Sequence, residues 1–387
     1  MKTEKVIPYD LVATTKMNHW YVAIKKNWVG RAEEMRKEVM QEIKIMEENQ
    51  DVLLYYSLLE FRHKLMLSYM YPNAIKDIEK NYGKLKEYEG HENLTGMLEY
   101  YYYFFMGMFY FRQKELTFSL NHYRQAEKYL DSIDSEDIEV EKAEFYFKLS
   151  EVYYHMKQTY FSMNYAMRAY NIFKKQPDVD GNSTYGVQKV RCQFVIFGNL
   201  LDSMKFDDAL KRAYKAYQEA EELNKNEKNR EHLIRSALFN IGLCYNQMEE
   251  LDKAFFYFNK SLQIIEPENH DYAAKTLFVI SFLKGRQNDT KNAQAFYEQS
   301  KQIAEQYNNE VVIEKLKMVK GLFLDSDLNL VREAFQFFRE RCMYPDMESY
   351  GVVIADFLTG KKEAWGAIEF YRLANEARRQ IKRGEAI

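Results

Sequence analysis

The stretch "ALFNIGLCYNQMEELDKAFFYFNKSLQIIEP", Ala237 to Pro267, decides how the chain is read. Gly242, Tyr245, Leu251, Ala254 and Phe258 set small, aromatic, apolar, small and aromatic residues in that order, and Pro267 closes the run. The same frame returns as Gly107, Tyr110, Tyr123 and Ala126, as Ser150, Tyr153, Ala166 and Ala169, and as Leu200, Phe206, Ala209, Ala213 and Ala216. Ser281, Ala293 and Tyr297 mark a further copy, Ala334 and Phe338 a degenerate one, and Ala355, Leu358, Ala367 and Tyr371 the last. Self-similarity of this kind signals an array of helical units, each too small to bury its own apolar face.

The order of small and aromatic positions is that of the tetratricopeptide repeat. With Gly107, Ser150, Phe197, Gly242, Ser281, Leu322 and Ala355 as equivalent positions, the spacings are 43, 47, 45, 39, 41 and 33 residues. Most exceed the usual ~34, so helices or loops are extended. Small residues are needed where helices A and B of a hairpin cross closely, and aromatics fill the wider gaps between hairpins. The expected fold is all-α: an N-terminal three-helix bundle followed by a superhelix of about seven tetratricopeptide-like helix hairpins, whose A helices line a concave surface.

Composition points the same way. Apolar residues make up 47% of the 387 and charged ones 29%, enough for a large core with a soluble surface. Of only five prolines, Pro72, Pro177, Pro267 and Pro345 fall between long helical patterns, and few segments alternate with period two. Fifty-five Lys and Arg against 58 Asp and Glu leave a net charge of −3, which argues against a surface built for nucleic acid or anionic membrane. Cys192, Cys244 and Cys342 are too few and too far apart for a disulfide framework, as suits a reducing cytoplasm. The start, "MKTEKVIPYDLV", lacks the apolar stretch of a secretory signal. The apolar run from Tyr100 to Phe111 has 12 residues, short of the ~18 that span a bilayer, and reads as core.

The first 71 residues stand outside the repeat frame. Leu11, Trp20 and Ile24 mark one helix, Trp28, Ala32, Met35, Val39, Ile43 and Met46 a second, and Leu54, Leu58, Phe61 and Leu65 a third. Residues 1–71 are expected to form the bundle, 72–93 a polar linker with a short helix and a hinge at Gly83 and Gly90, and 94–387 the repeat domain. A DNA-reading helix pair in the bundle is disfavoured. Its 11 Lys and Arg against 10 Asp and Glu lack the concentrated positive surface that phosphates require.

The chain has no Gly-rich phosphate loop, no G-x-S-x-G, no H-E-x-x-H and no histidine pair at i, i+4, so neither a metal centre nor a nucleophilic triad is expected. Attention falls on the polar corner "MEENQD", Met46 to Asp51, between the second and third helices. On pattern alone Asn49 reads as a helix cap and Gln50 as a solvated first-turn residue. The longer run "MEENQDVLLYYSLLEFRHKLMLSYM", Met46 to Met70, ahead of a linker and about seven hairpins, resembles the Rap family of Bacillus response regulator aspartate phosphatases over essentially the full length.

That resemblance implies that Gln50 is a catalytic glutamine inserted into the active site of a phosphorylated response regulator. An amide donates and accepts hydrogen bonds, so it orients a water against phosphorus without adding negative charge. By the same resemblance Glu48, Asn49, Leu53 and Phe61 contact the response regulator. Mg2+ belongs to that partner, and the chain needs no cofactor of its own. Some Rap proteins instead hold a response regulator's DNA-binding domain without dephosphorylating it, so sequestration is the alternative.

The concave surface carries a second expectation. In the repeat frame Lys148, Glu151, Tyr154, Asp202, Asn240, Leu243, Asn246, Lys275, Phe278 and Phe282 point inward from successive A helices. Asparagines there bind a peptide backbone through donor and acceptor at once, and Asp202, Glu151 and the lysines supply specificity. Asn199, one step off that face, reads as a bridge between helix backbones. The resemblance implies an inhibitory Phr peptide, short and imported, with Asp202 and Asn240 at contact positions, and a shift between two packings hinged at the linker. The expected partners are thus a response regulator and a short signalling peptide, with no direct nucleic acid and no membrane. Monomer and homodimer both stay open.

Overall fold

Long segments rich in Glu, Lys, Leu, Met and Tyr, broken at few points, fold into seventeen α-helices among the described residues. The computed structural model describes residues 12–70, 94–133, 138–177, 184–227, 229–264 and 270–385, with Tyr9, Ile78, 82–83, 85–86 and 88–89. Most of the expected linker, including Pro72 and Gly90, lies outside the described residues, and so does Pro267. A π-helical turn, Val12–Met17, leads into α1 (Asn18–Lys25), α2 (Val29–Ile43) and α3 (Gln50–Met70). Seven A/B helix pairs follow. They are α4 (Gly96–Arg112) and α5 (Leu116–Ser132), α6 (Ile138–His155) and α7 (Thr159–Lys175), α8 (Gly186–Asp202) and α9 (Phe206–Glu221), and α10 (Arg230–Gln247) and α11 (Leu251–Gln263). The last three are α12 (His270–Arg286) and α13 (Thr290–Gln306), α14 (Glu310–Val319) and α15 (Leu328–Glu340), and α16 (Tyr344–Gly360) and α17 (Ala364–Glu385).

The chain divides into two compact units, Met1–Val152 and Tyr153–Ile387, and the division falls inside α6. In the first unit Trp20 is fully buried and donates from Nε1 to Nδ1 of His63 at 2.9 Å. Helix α3 lies against α4, where Phe61 meets Phe109 with ring centroids 5.8 Å apart and Tyr55 stacks on Tyr101 at 5.7 Å. The aromatic run in α4 is therefore core. Glu141 of α6, only 5% exposed, accepts from Tyr21 Oη at 2.8 Å, Tyr100 Oη at 3.1 Å and Lys25 Nζ at 3.1 Å. A buried carboxylate persists only when so satisfied, and here it ties α1 and α4 to α6.

The A-to-B turns share one register. Each holds a non-glycine residue at positive φ: Lys114, Lys157, Met204, Glu249, Asn288, Ser326 and Lys362. In six of them that residue lies seven positions after the small-residue reference read from sequence, and the following N–H returns to a helix carbonyl, as Glu250 N–H does to Tyr245 O at 2.9 Å. The sixth pair departs. Ser326 lies four positions after Leu322, so its true equivalent is Val319, three residues earlier. A π-helical turn, Lys320–Leu324, follows α14 there and takes up the difference.

Candidate functional site

The corner before α3 is built by a helix cap. Asn49 Oδ1 accepts from the Val52 N–H at 3.1 Å, and its carbonyl accepts from the Leu53 N–H at 3.1 Å. This satisfies first-turn donors that would otherwise be orphaned, and it fixes Gln50 as the first helical residue. Asn49 is half-buried, while Glu48 and Gln50 are exposed. Gln50 Nε2 donates to Glu48 Oε1 at 3.1 Å. A carboxylate only accepts, so the amide nitrogen must face it. That leaves Gln50 Oε1 with no protein donor among the described residues.

Two expected contacts near this corner fare differently. Leu53 is half-buried and reaches the surface. Phe61 does not: it is fully buried against Phe109, because α4 covers the face of α3 that carries it. Phe61 is therefore core and not a partner contact.

The second constellation lies on the A helices. In the first unit the half-buried Lys148 donates to Glu151 Oε2 at 2.7 Å, one turn along α6. In the second unit Asp202 accepts from Lys157 Nζ at 2.7 Å, and that ammonium sits 5.1 Å from the Tyr154 ring centroid. Tyr154 occupies the space opened by Gly198, where a Cβ would meet its ring at 2.9 Å. Burial first, and then the Asp202 carboxylate, pushes the Tyr154 phenol well above its ordinary range. So Tyr154 and Asp202 form one cluster. Asn199 is buried and donates to Ser162 Oγ and Val195 O, both at 2.8 Å, as a bridging residue would.

Further along, Asn240 is half-buried, and its side chain has no protein hydrogen bond among the described residues. Asn246 Oδ1 accepts from Arg286 Nη1 at 3.0 Å, and Arg286 also grips both carboxylate oxygens of Glu249, at 2.7 and 2.6 Å. Leu243 is half-buried. Lys275 is exposed, with Nζ 5.3 Å from the Phe239 ring centroid. Phe278 and Phe282 are corrections. Both are buried, packed on each other and on Tyr350 with centroids 5.5 to 6.2 Å apart, because α16 covers their face of α12. Sequence reasoning missed Lys157 and Arg286, at or just past the C-terminal ends of their A helices, and Lys315, inside α14. Arg286 had a signal, since it continues the step of four from Phe282.

Comparison with known proteins bears on what these sites are. The profile described as "response regulator aspartate phosphatase H, N terminal" matches residues 6–68, which take in the Gln50 corner. A tetratricopeptide-repeat profile matches residues 233–306, which covers α10 to α13 apart from the first turn of α10. The chain is 44% identical to response regulator aspartate phosphatase I of Bacillus subtilis (strain 168), with 98% of this chain and 94% of that protein aligned. It belongs to the Rap family of response regulator aspartate phosphatases.

Two crystal structures of Rap proteins share its fold. The apo form of RapI superposes with a TM-score of 0.76 at 42% identity, over 97% of this chain and 99% of that one. A Rap protein complexed with competence and sporulation factor gives 0.81 at 33% identity, over 97% and 100%. In this Rap chain the repeat profile covers the fourth and fifth hairpins. The sixth pair, with its π turn, lies beyond it. Among the described residues no helix is long and apolar enough to cross a membrane.

Proposed function

We propose that this Rap protein binds a phosphorylated response regulator and hydrolyses its aspartyl phosphate, and that a short peptide held on the A-helix face of the repeats suppresses the reaction. The observation that carries this is the state of Gln50: exposed at the first position of α3, nitrogen held by Glu48, oxygen without a protein donor.

Hydrolysis of an acyl phosphate needs a water oxygen to attack phosphorus in line with the bond to the aspartate. A new P–O bond forms, the aspartate leaves as a carboxylate, and the water's proton passes to phosphate or solvent. Little covalent chemistry is asked of the protein, so positioning supplies most of the acceleration. Gln50 Oε1 accepts one hydrogen of the attacking water and sets its direction. A carboxylate at the same place would bring a second negative charge beside the phosphoryl group. Mg2+ belongs to the response regulator in this reading, and the chain adds no cofactor of its own. Glu48 and Leu53 flank the glutamine as contacts with the partner.

Support for the peptide comes from the free amide of Asn240, the Tyr154–Asp202 cluster and the crystallised complex of a Rap relative with competence and sporulation factor. The test is to incubate the chain with a panel of phosphorylated response regulators and to follow phosphate release and complex formation together. Accelerated release with one of them supports the phosphatase. A tight complex without release supports sequestration, and no complex with any of them contradicts both.

A further inference from the structure

The A-to-B turns of the last three hairpins surround a cavity of about 440 Å³. Three of the five residues of the π turn after α14 line it: Gly321, Leu322 and Phe323. A π turn adds residues to a helix end and recurs at functional sites, and here it supplies one wall. Gly285 of α12 makes room for that wall. A Cβ there would lie 2.2 Å from the Phe323 ring, so the ring sits in the space that glycine leaves. Phe323 meets Phe357 of α16 edge-on with centroids 5.0 Å apart, and both rings are half-buried, which leaves aromatic surface open to the cavity. The volume lies in the range of about 300–1,000 Å³ usual for small-ligand sites. None of the lining residues belongs to the inward-facing set that runs from Lys148 to Phe282.

Charges on the rim narrow the class of ligand. Lys361 of the seventh turn donates from Nζ to Asn288 Oδ1 of the fifth turn at 3.2 Å, and no carboxylate pairs with it among the described residues. Glu363 lies two residues on and lines the same cavity, and no cation pairs with it among the described residues. One charge of each sign thus borders one aromatic space. A simple anion would meet Glu363, a simple cation would meet Lys361, and a neutral apolar molecule would answer neither. A small zwitterion with an aromatic group answers all three features, through two charge-assisted hydrogen bonds and an edge or offset ring contact. We propose that this cavity binds a free aromatic α-amino acid, its carboxylate on Lys361, its ammonium on Glu363 and its ring against Phe323 and Phe357. A peptide does not meet the same description, because its terminal charges sit on different residues.

The experiment titrates the full chain calorimetrically with free phenylalanine, tyrosine and tryptophan. The tightest of the three is then compared with its N-acetyl derivative, which lacks the ammonium, and with its amide, which lacks the carboxylate. The free amino acid is expected to bind about tenfold or more tighter than either derivative. Lys361→Met is expected to bring the ratio over the amide to within about twofold and to keep the ratio over the N-acetyl form, and Glu363→Gln is expected to do the reverse. Lys362→Met, next to both but outside the lining, is expected to leave both ratios unchanged. Because Lys361 and Glu363 are exposed, their variants are expected to melt as wild type does, which shows that the fold is kept. Failure of all three amino acids to bind at millimolar concentration, equal binding of the free and capped forms, or ratios that survive both substitutions would overturn the proposal. The phosphatase and peptide readings would stand in each of those cases.

Discussion

At Asn49 the side chain serves the helix, and at Gln50 it is left to solvent. Asn49→Ala removes the acceptor for the Val52 N–H and is expected to lower stability by about 1 kcal/mol, read as a shifted urea midpoint, whereas Asn49→Asp keeps it. His63 makes a second prediction. Burial lowers its pKa to about 4 against an ordinary ~6.5, outweighing the nearby Glu33, so the folded chain holds the ring neutral. Below about pH 6.5 the unfolded chain takes up a proton that the folded chain refuses until about pH 4. Stability is therefore full above pH 6.5 and falls by about 3 kcal/mol between those values. Urea midpoints at pH 7 and pH 4.5 should differ less in His63→Asn than in wild type, and an equal difference would refute the assignment. The capping role of Asn49 was legible because its residue type and place suffice. The burial of Phe61, Phe278 and Phe282 was not, because a helical period shows which face is apolar and not which element covers it.

Among the hairpins, sequence and packing meet in a rule of sixteen. Gly107 faces Tyr123, sixteen residues on, where a Cβ would lie 2.3 Å from the ring, and Gly242 faces Phe258 in the same way at 2.6 Å. Where the A helix carries Phe197 instead, the residue sixteen on is Ala213, in the same core cluster. Volume is exchanged across the crossing and the helices keep their approach. Gly242→Ala inserts a methyl group against Phe258 and is expected to cost about 1–3 kcal/mol, read by thermal melting of the full chain. A melt unchanged from wild type would mean that the crossing is loose. This exchange is why seven hairpins could be counted from sequence. The sixth was placed three residues late because a π turn adds residues without any compositional mark. The positive-φ turns were equally hidden: of the seven residues only Asn288 belongs to a type that tolerates that conformation well.

For the molecule as a whole, two ligands acting on one chain are linked. If peptide weakens response-regulator binding by some factor, the response regulator must weaken peptide binding by the same factor. Titrating each in the presence of the other tests this, and unequal factors would mean that a third species is bound. Family and fold were legible together, since the corner and the repeat frame occur in one order along one chain. The Lys315–Asp346 pair was not legible, because the two residues meet only when α14 and α16 are folded. The central claim turns on one amide, and phosphate release from a phosphorylated response regulator tests it most directly, with wild-type and Gln50→Ala chains compared and complex formation measured on the same samples. The expected result is a loss of about a hundredfold in acceleration with the complex intact. Release by Gln50→Ala at the wild-type rate would contradict it.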